Sequence, residues 1–108
     1  MTAPFVTSLR TPNAPIVLGR PSDRTLHLRA QVLEAWDAVR IDANPAEPVK
    51  SLKLRALAAL YPHSGDPAEF VVKLRGIEIL DENVSLADAG AIEGSTFLIA
   101  DRRRRPVQ

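Results

Sequence analysis

Residues 74–99 read "LRGIEILDENVSLADAGAIEGSTFLI", two apolar runs on either side of an acidic loop punctuated by glycine. With its upstream neighbours the first run is "FVVKLRG" (70–76). Lys73 and Arg75 must face water, so the period of two turns Phe70, Val72 and Leu74 toward a core. The middle, "DENVSLADAGAIEG" (81–94), is too polar and glycine-rich for a long element and is expected to be a loop anchored by Leu86 and Ile92. "STFLIA" (95–100) then predicts a last strand with Phe97 and Ile99 inward.

Upstream, "RTLHLRAQ" (24–31) alternates with Leu26, Leu28 and Ala30 on one face, and "AVRIDA" (38–43) alternates with Val39 and Ile41 inward. "VLEAWD" (32–37) between them reads as a hairpin connection. "NPAEPVKSLKLRALAALYP" (44–62) changes period: Val49, Leu52, Ala56 and Leu60 recur at helical spacing, and Leu57 widens the stripe. Asn44 is expected to cap this helix, with Pro45 at its first position, and Pro62 to end it. "HSGDPAE" (63–69) is a polar turn. Strand, strand, helix, strand, loop and strand around one core predict an α+β domain, a mixed four-stranded sheet with one helix packed across one face.

That order, with the third strand ending at a tight turn on Gly76, the Ser85-Leu86-Ala87-Asp88 run and Ser95-Thr96 opening the last strand, resembles the ubiquitin-like β-grasp superfamily. The likeness covers roughly residues 24–101, and the turn after Gly76 is one residue longer here. Modifiers of that family need a flexible Gly-Gly ending that threads into activating enzymes. This chain ends Arg105-Pro106-Val107-Gln108 and contains no adjacent glycines, so the resemblance implies a non-conjugating member. The hydrophobic patch through which ubiquitin is read is also replaced: Lys73 stands where its central isoleucine would be, and Ala100 where its last-strand valine would be. Among non-conjugating relatives the chain is most similar in kind to bacterial YukD-like proteins of type VII secretion, through Glu47-Pro48-Val49-Lys50 and the segment Leu86–Ile92. Small β-grasp subunits of bacterial multicomponent monooxygenases are a second precedent of the same kind.

At 108 residues the chain is one domain with a modest core, which disfavours an elaborate enzyme cleft. It has no cysteine, hence no disulfide, thiol nucleophile or cysteine metal site. No apolar run is long enough to span a membrane, and the first twenty residues are interrupted by Pro4, Pro12 and Pro15, unlike a secretory signal; a cytoplasmic location is expected. The net charge of +1 conceals an uneven distribution. All 13 acids lie in 23–101 against eight bases, while Arg10 and Arg20 precede them and Arg102–Arg105 follow. The expected organisation is an extended N-terminal arm (1–22), the β-grasp domain (23–101) and a basic tail (102–108).

Strand parity gathers Arg29, Arg40, His27, Lys73, Arg75, Leu98 and Ala100 on the sheet face away from the helix, with Arg102 continuing the last strand. Trp36 joins them if its strand reaches that far. Such a face suits a protein partner with an acidic or mixed surface, or it is a solvated sheet face. The block Arg102, Arg103, Arg104 and Arg105 has three readings: a solubilising tail lying against the acidic loop, a docking peptide for an acidic groove, or a contact to nucleic acid or an anionic membrane. The expected partner-binding residues are therefore Arg102, Arg103, Arg104, Arg105, Lys73, Arg75, Arg29, Arg40 and Leu98. Catalytic constellations are poor. His63, Ser64 and Asp66 crowd one turn where a nucleophile and base cannot align, and two histidines without cysteine make no recognisable metal site. A non-enzymatic interaction module, an accessory subunit of a larger bacterial assembly, is expected. It needs no cofactor, metal or small-molecule substrate. Binding to nucleic acid or an anionic surface is the alternative.

Overall fold

The computed structural model describes residues 15–63 and 65–102. The elements are β1 (Ile16–Leu18), β2 (Leu26–Val32), β3 (Asp37–Ala43), α1 (Val49–Leu60), β4 (Phe70–Leu74), β5 (Ile77–Glu78), α2 (Leu86–Ala89) and β6 (Thr96–Asp101). The sheet order is β1-β3-β2-β6-β4-β5. β2 and β6 run parallel at its centre, and β3 and β4 pair antiparallel outside them. The four expected strands and the crossing helix are present in the expected order. The expected count of four strands is corrected to six by two short edge strands.

The edges are short for identifiable reasons. At β5 the chain reverses through Arg75 (φ 55°) and Gly76 (φ 81°), two left-handed residues in succession, the two-residue turn whose twist suits an antiparallel hairpin. β1 lies within the segment expected to be an arm: Ile16, Val17 and Leu18 pair in parallel with Ile41, Asp42 and Ala43, and Leu18 is buried. Three residues between Pro15 and Gly19 are too few to show a period, and their partner is distant in sequence. The globular unit thus reaches back at least to residue 16; residues 1–14 lie outside the described residues.

The core lies between the sheet and α1. Leu28, Ala30, Val32, Val39, Ile41, Phe70, Val72, Leu74, Phe97 and Ile99 meet Val49, Leu52, Ala56 and Leu57 of the helix. Each large side chain so buried contributes about 1.5–3 kcal/mol. Leu86 closes the core from α2 as expected, but Ile92 does not: it is 60% exposed, and Ala91 is buried in its place. Gly90 (φ 102°) ends α2 in a left-handed cap and the Ala91 N–H returns to the Leu86 carbonyl (3.0 Å), which directs Ala91 inward and Ile92 out.

Helix α1 begins four residues after the expected position. The Asn44 side chain accepts from the Ala46 N–H (2.9 Å) and donates to the Arg20 carbonyl (3.2 Å), so it builds a turn rather than a cap. Pro48 stands at the cap without a side-chain hydrogen bond. The orphan donors of the first turn are met across the fold, Val49 N–H by the Val84 carbonyl (2.9 Å) and Lys50 N–H by the Glu82 carbonyl (2.8 Å). The acidic loop and the helix start are therefore locked together through the backbone. At the other end the helix stops at Leu60, before Pro62, as expected.

Candidate functional site

On the face opposite α1 the registers set the side chains in rows. Arg40 lies directly opposite Arg29, and Arg29 lies beside Thr96. The adjacent row runs Ala38, Gln31, Leu98, Lys73 and Glu78 from β3 across to β5. The row on the other side holds Val17, Asp42 and His27. Arg29, Arg40, Lys73 and Leu98 share the outer face, as parity predicts, but with neighbouring strands about 4.8 Å apart Lys73 lies three strands, roughly 14 Å or more, across from Arg40. Arg29 and Arg40 are exposed, and among the described residues neither forms an ion pair. Like charges directly opposite on paired strands destabilise them.

Trp36 stands in the turn between β2 and β3, immediately before Asp37. It does not extend β3, which begins at Asp37; it closes the turn Leu33–Ala35 in the left-handed conformation (φ 55°, ψ 37°), its N–H donating to the Leu33 carbonyl (3.1 Å). Its side chain is 87% exposed. A left-handed tryptophan is strained, and an exposed one stays in water; a glycine would suit the same turn better.

Two expected members are placed elsewhere. Arg75 is not on the face: the left-handed turn at Arg75 and Gly76 carries its guanidinium to the core side of the sheet, where Nη2 donates to the Gly90 carbonyl (2.7 Å). Arg102 does not prolong the last strand; it folds against the edge of β4, donating to the Ala68 carbonyl (3.2 Å) and lying 3.9 Å from a Glu78 carboxylate oxygen. The remaining tail residues Arg103, Arg104 and Arg105 lie outside the described residues. His27 is on the face but engaged: its N–H donates to a Glu93 oxygen (3.0 Å), and its Nδ1 lies 3.1 Å from the other. That backbone hydrogen bond, assisted by the charge and ring of His27, holds the Glu93 carboxyl below the usual glutamate range.

Asp66 accepts from the Ala68 N–H (2.9 Å) as a turn cap, and Ser64 lies outside the described residues. Among the described residues no three His, Cys, Asp or Glu side chains converge on a point where a metal could sit. Among the described residues no helix is long and apolar enough to cross a membrane.

One buried ion pair escaped the sequence reading. Lys53 is 3% exposed, and its Nζ lies 3.0 Å from both carboxylate oxygens of Glu82. It forms the wall of an open groove of about 500 Å³ that also includes Lys50, Leu54, Leu80 and Arg102. The signal was available: position 53 is four residues after Val49 and adjoins Leu52 and Ala56 on the buried stripe. A lysine there requires an acid partner.

No protein-family model matches the chain, and no curated protein matches it. Solved structures do. A ubiquitin-like domain from Arabidopsis thaliana superposes with a TM-score of 0.60 at 18% identity, covering 82% of this chain and 90% of that one. The ubiquitin of Caldiarchaeum subterraneum gives a TM-score of 0.60 at 13% identity, covering 77% of this chain and 96% of that one. A designed protein based on ubiquitin gives 0.59 at 17% identity, with 81% and 100% covered. At these identities the likeness is one of fold. The chain has the ubiquitin-like β-grasp fold.

Proposed function

We propose that this chain is a non-conjugating, non-enzymatic interaction module that docks a protein partner on the outer sheet face, as an accessory subunit of a larger assembly. The observation that carries the reading is the pair Arg29 and Arg40, exposed and without an ion-pair partner among the described residues, beside the small apolar area of Leu98, Ala38 and Ala100. The non-conjugating part is supported by the text that follows β6, four arginines and a proline where the flexible glycine ending of a modifier would stand. The short likeness to YukD-type proteins supports a bacterial, cytoplasmic, secretion-related assembly. The tail arginines Arg103–Arg105 belong to the proposal as a second docking element. Arg102 belongs less, since it is engaged with Glu78 and Ala68.

The test is native affinity capture of the tagged chain. Mass spectrometry would identify bound protein, and ultraviolet absorbance would detect bound nucleic acid. One or two stoichiometric proteins, lost on Arg29→Glu with Arg40→Glu, are expected. Bound nucleic acid without a defined protein would reject the reading in favour of phosphate binding, which also predicts a steep loss of binding with salt.

A further inference from the structure

We infer that the outer face receives an acidic peptide segment of the partner. Arg29 and Arg40 take its carboxylates, and Trp36 takes an apolar side chain beside them. This rests on the interaction-module reading and specifies the chemistry of the occupant.

The first argument is charge. Arg29 and Arg40 are direct cross-strand neighbours, so their side chains leave the sheet about 5 Å apart. Two guanidinium groups anchored that close can both reach one carboxylate, which matches an arginine fork in bidentate fashion. Thr96 lies beside Arg29 and adds a hydroxyl. In the free protein the arrangement is repulsive; an anion between the two arginines relieves it.

The second argument is strain. Trp36 combines a left-handed backbone with 87% exposure, a strained residue whose ring is left in water. Strained residues of this kind concentrate where a ligand is held, and tryptophan is among the residues that most often anchor interfaces. Trp36 closes the turn that leads into β3, four residues before Arg40 in the chain, so their Cα atoms are at most about 13–14 Å apart. An extended segment of about four residues spans that distance, so one peptide reaches both.

The third argument separates this occupant from a nucleic acid. The cationic spot is small and bounded by acids. Asp42 lies on the same face opposite His27, Glu93 lies against His27, and Glu78 lies opposite Lys73. A nucleic-acid strand places a charge about every 3.4 Å and needs a continuous cationic track. A nucleic-acid strand cannot confine its charge to the Arg29–Arg40 pair and so meets these carboxylates, whereas a peptide can set one acidic side chain at the pair and turn uncharged ones toward the acids. A membrane surface meets the same acids.

Trp36 is the chain's single tryptophan, so its fluorescence reports the site in the full-length protein. The probe is a synthetic dodecapeptide of glutamate and leucine. A glutamine and leucine peptide and an oligothymidylate of equal length serve as comparators. Saturable blue-shifted emission with the glutamate peptide is expected, with affinity about tenfold lower for each of Arg29→Ser and Arg40→Ser. Arg24→Ser, an exposed arginine outside this face, should leave it unchanged. The inference is overturned if the glutamate peptide does not bind, if the glutamine peptide binds equally, if the arginine substitutions have no effect, or if the oligonucleotide binds more tightly at the same salt. A stoichiometric partner that still binds the Arg29→Ser, Arg40→Ser double variant would overturn this inference while leaving the module reading intact.

Discussion

Removing the Glu82 side chain leaves the Lys53 ammonium buried without its counter-ion, and the two ends of this pair respond very differently. Lys53 is 3% exposed and sits 3.0 Å from both Glu82 oxygens, whereas the Glu82 side chain is 21% exposed. Breaking a buried pair from one side costs about 3–5 kcal/mol. Here the groove beside Leu54 and Leu80 readmits some water, which reduces the expected cost of Glu82→Ala to about 2–3 kcal/mol. Lys53→Met keeps the packed stem and leaves only the better-hydrated carboxylate unpaired, so about 1 kcal/mol or less is expected. For a domain of this size 1 kcal/mol moves Tm by about 4–8 °C. Glu82→Ala should therefore lower Tm by roughly 10–20 °C, and Lys53→Met by less than about 8 °C. Equilibrium urea unfolding followed by circular dichroism measures both, as shifts in midpoint at constant slope. If Lys53→Met costs as much as Glu82→Ala, the lysine is not dehydrated, and the reasoning fails.

Trp36→Gly should stabilise the fold. Relief of left-handed strain is about 1–2 kcal/mol, less about 0.5–1 kcal/mol of extra unfolded-chain entropy. A lower urea midpoint would show that the indole packs in the free protein. Leu18→Ala should cost about 2–3 kcal/mol, because a residue 4% exposed leaves a cavity; a change within 0.5 kcal/mol, roughly the scatter of surface substitutions, would return β1 to a dispensable arm. The Glu93 carboxyl is depressed in the folded state, so its contact with His27 stabilises above the unfolded glutamate pKa and is lost as pH falls through the folded value. The leading cause is the His27 backbone N–H. Carboxyl NMR titration of His27→Ala should therefore still find Glu93 depressed, and a return to the ordinary value would contradict that cause.

What could be read from the sequence was whatever repeats with a clear period. Leu26, Leu28 and Ala30, then Val39 and Ile41, then Phe97 and Ile99 show the alternation of strands covered on one face, and Val49, Leu52 and Ala56 show the helix stripe. The central sheet and its outward cations follow from those residues alone. The failures occurred where tertiary contacts or left-handed backbone override local text. Asn44 looked like a cap, yet the first turn of α1 draws its acceptors from residues 82 and 84. Arg75 has outward parity, but its φ of 55° takes it off the sheet line. Ile92 is the larger anchor in its loop, and the cap at Gly90 selects Ala91 instead. Trp36 was tied to the face by parity, but it lies in the turn before β3, where its φ of 55° ends the strand's alternation. The exposed face itself could be read; what occupies it depends on charge geometry that only the cross-strand register supplies.

The most direct test of the central claim, that the outer sheet face is the docking surface, is site-specific photo-cross-linking in native cells. A photoreactive residue at Leu98, in the centre of the face, is compared with one at Ala58, exposed on α1 on the opposite side. The account predicts a discrete protein adduct from position 98 and none from position 58. Adducts from position 58 alone would place the partner on the helix side and contradict it.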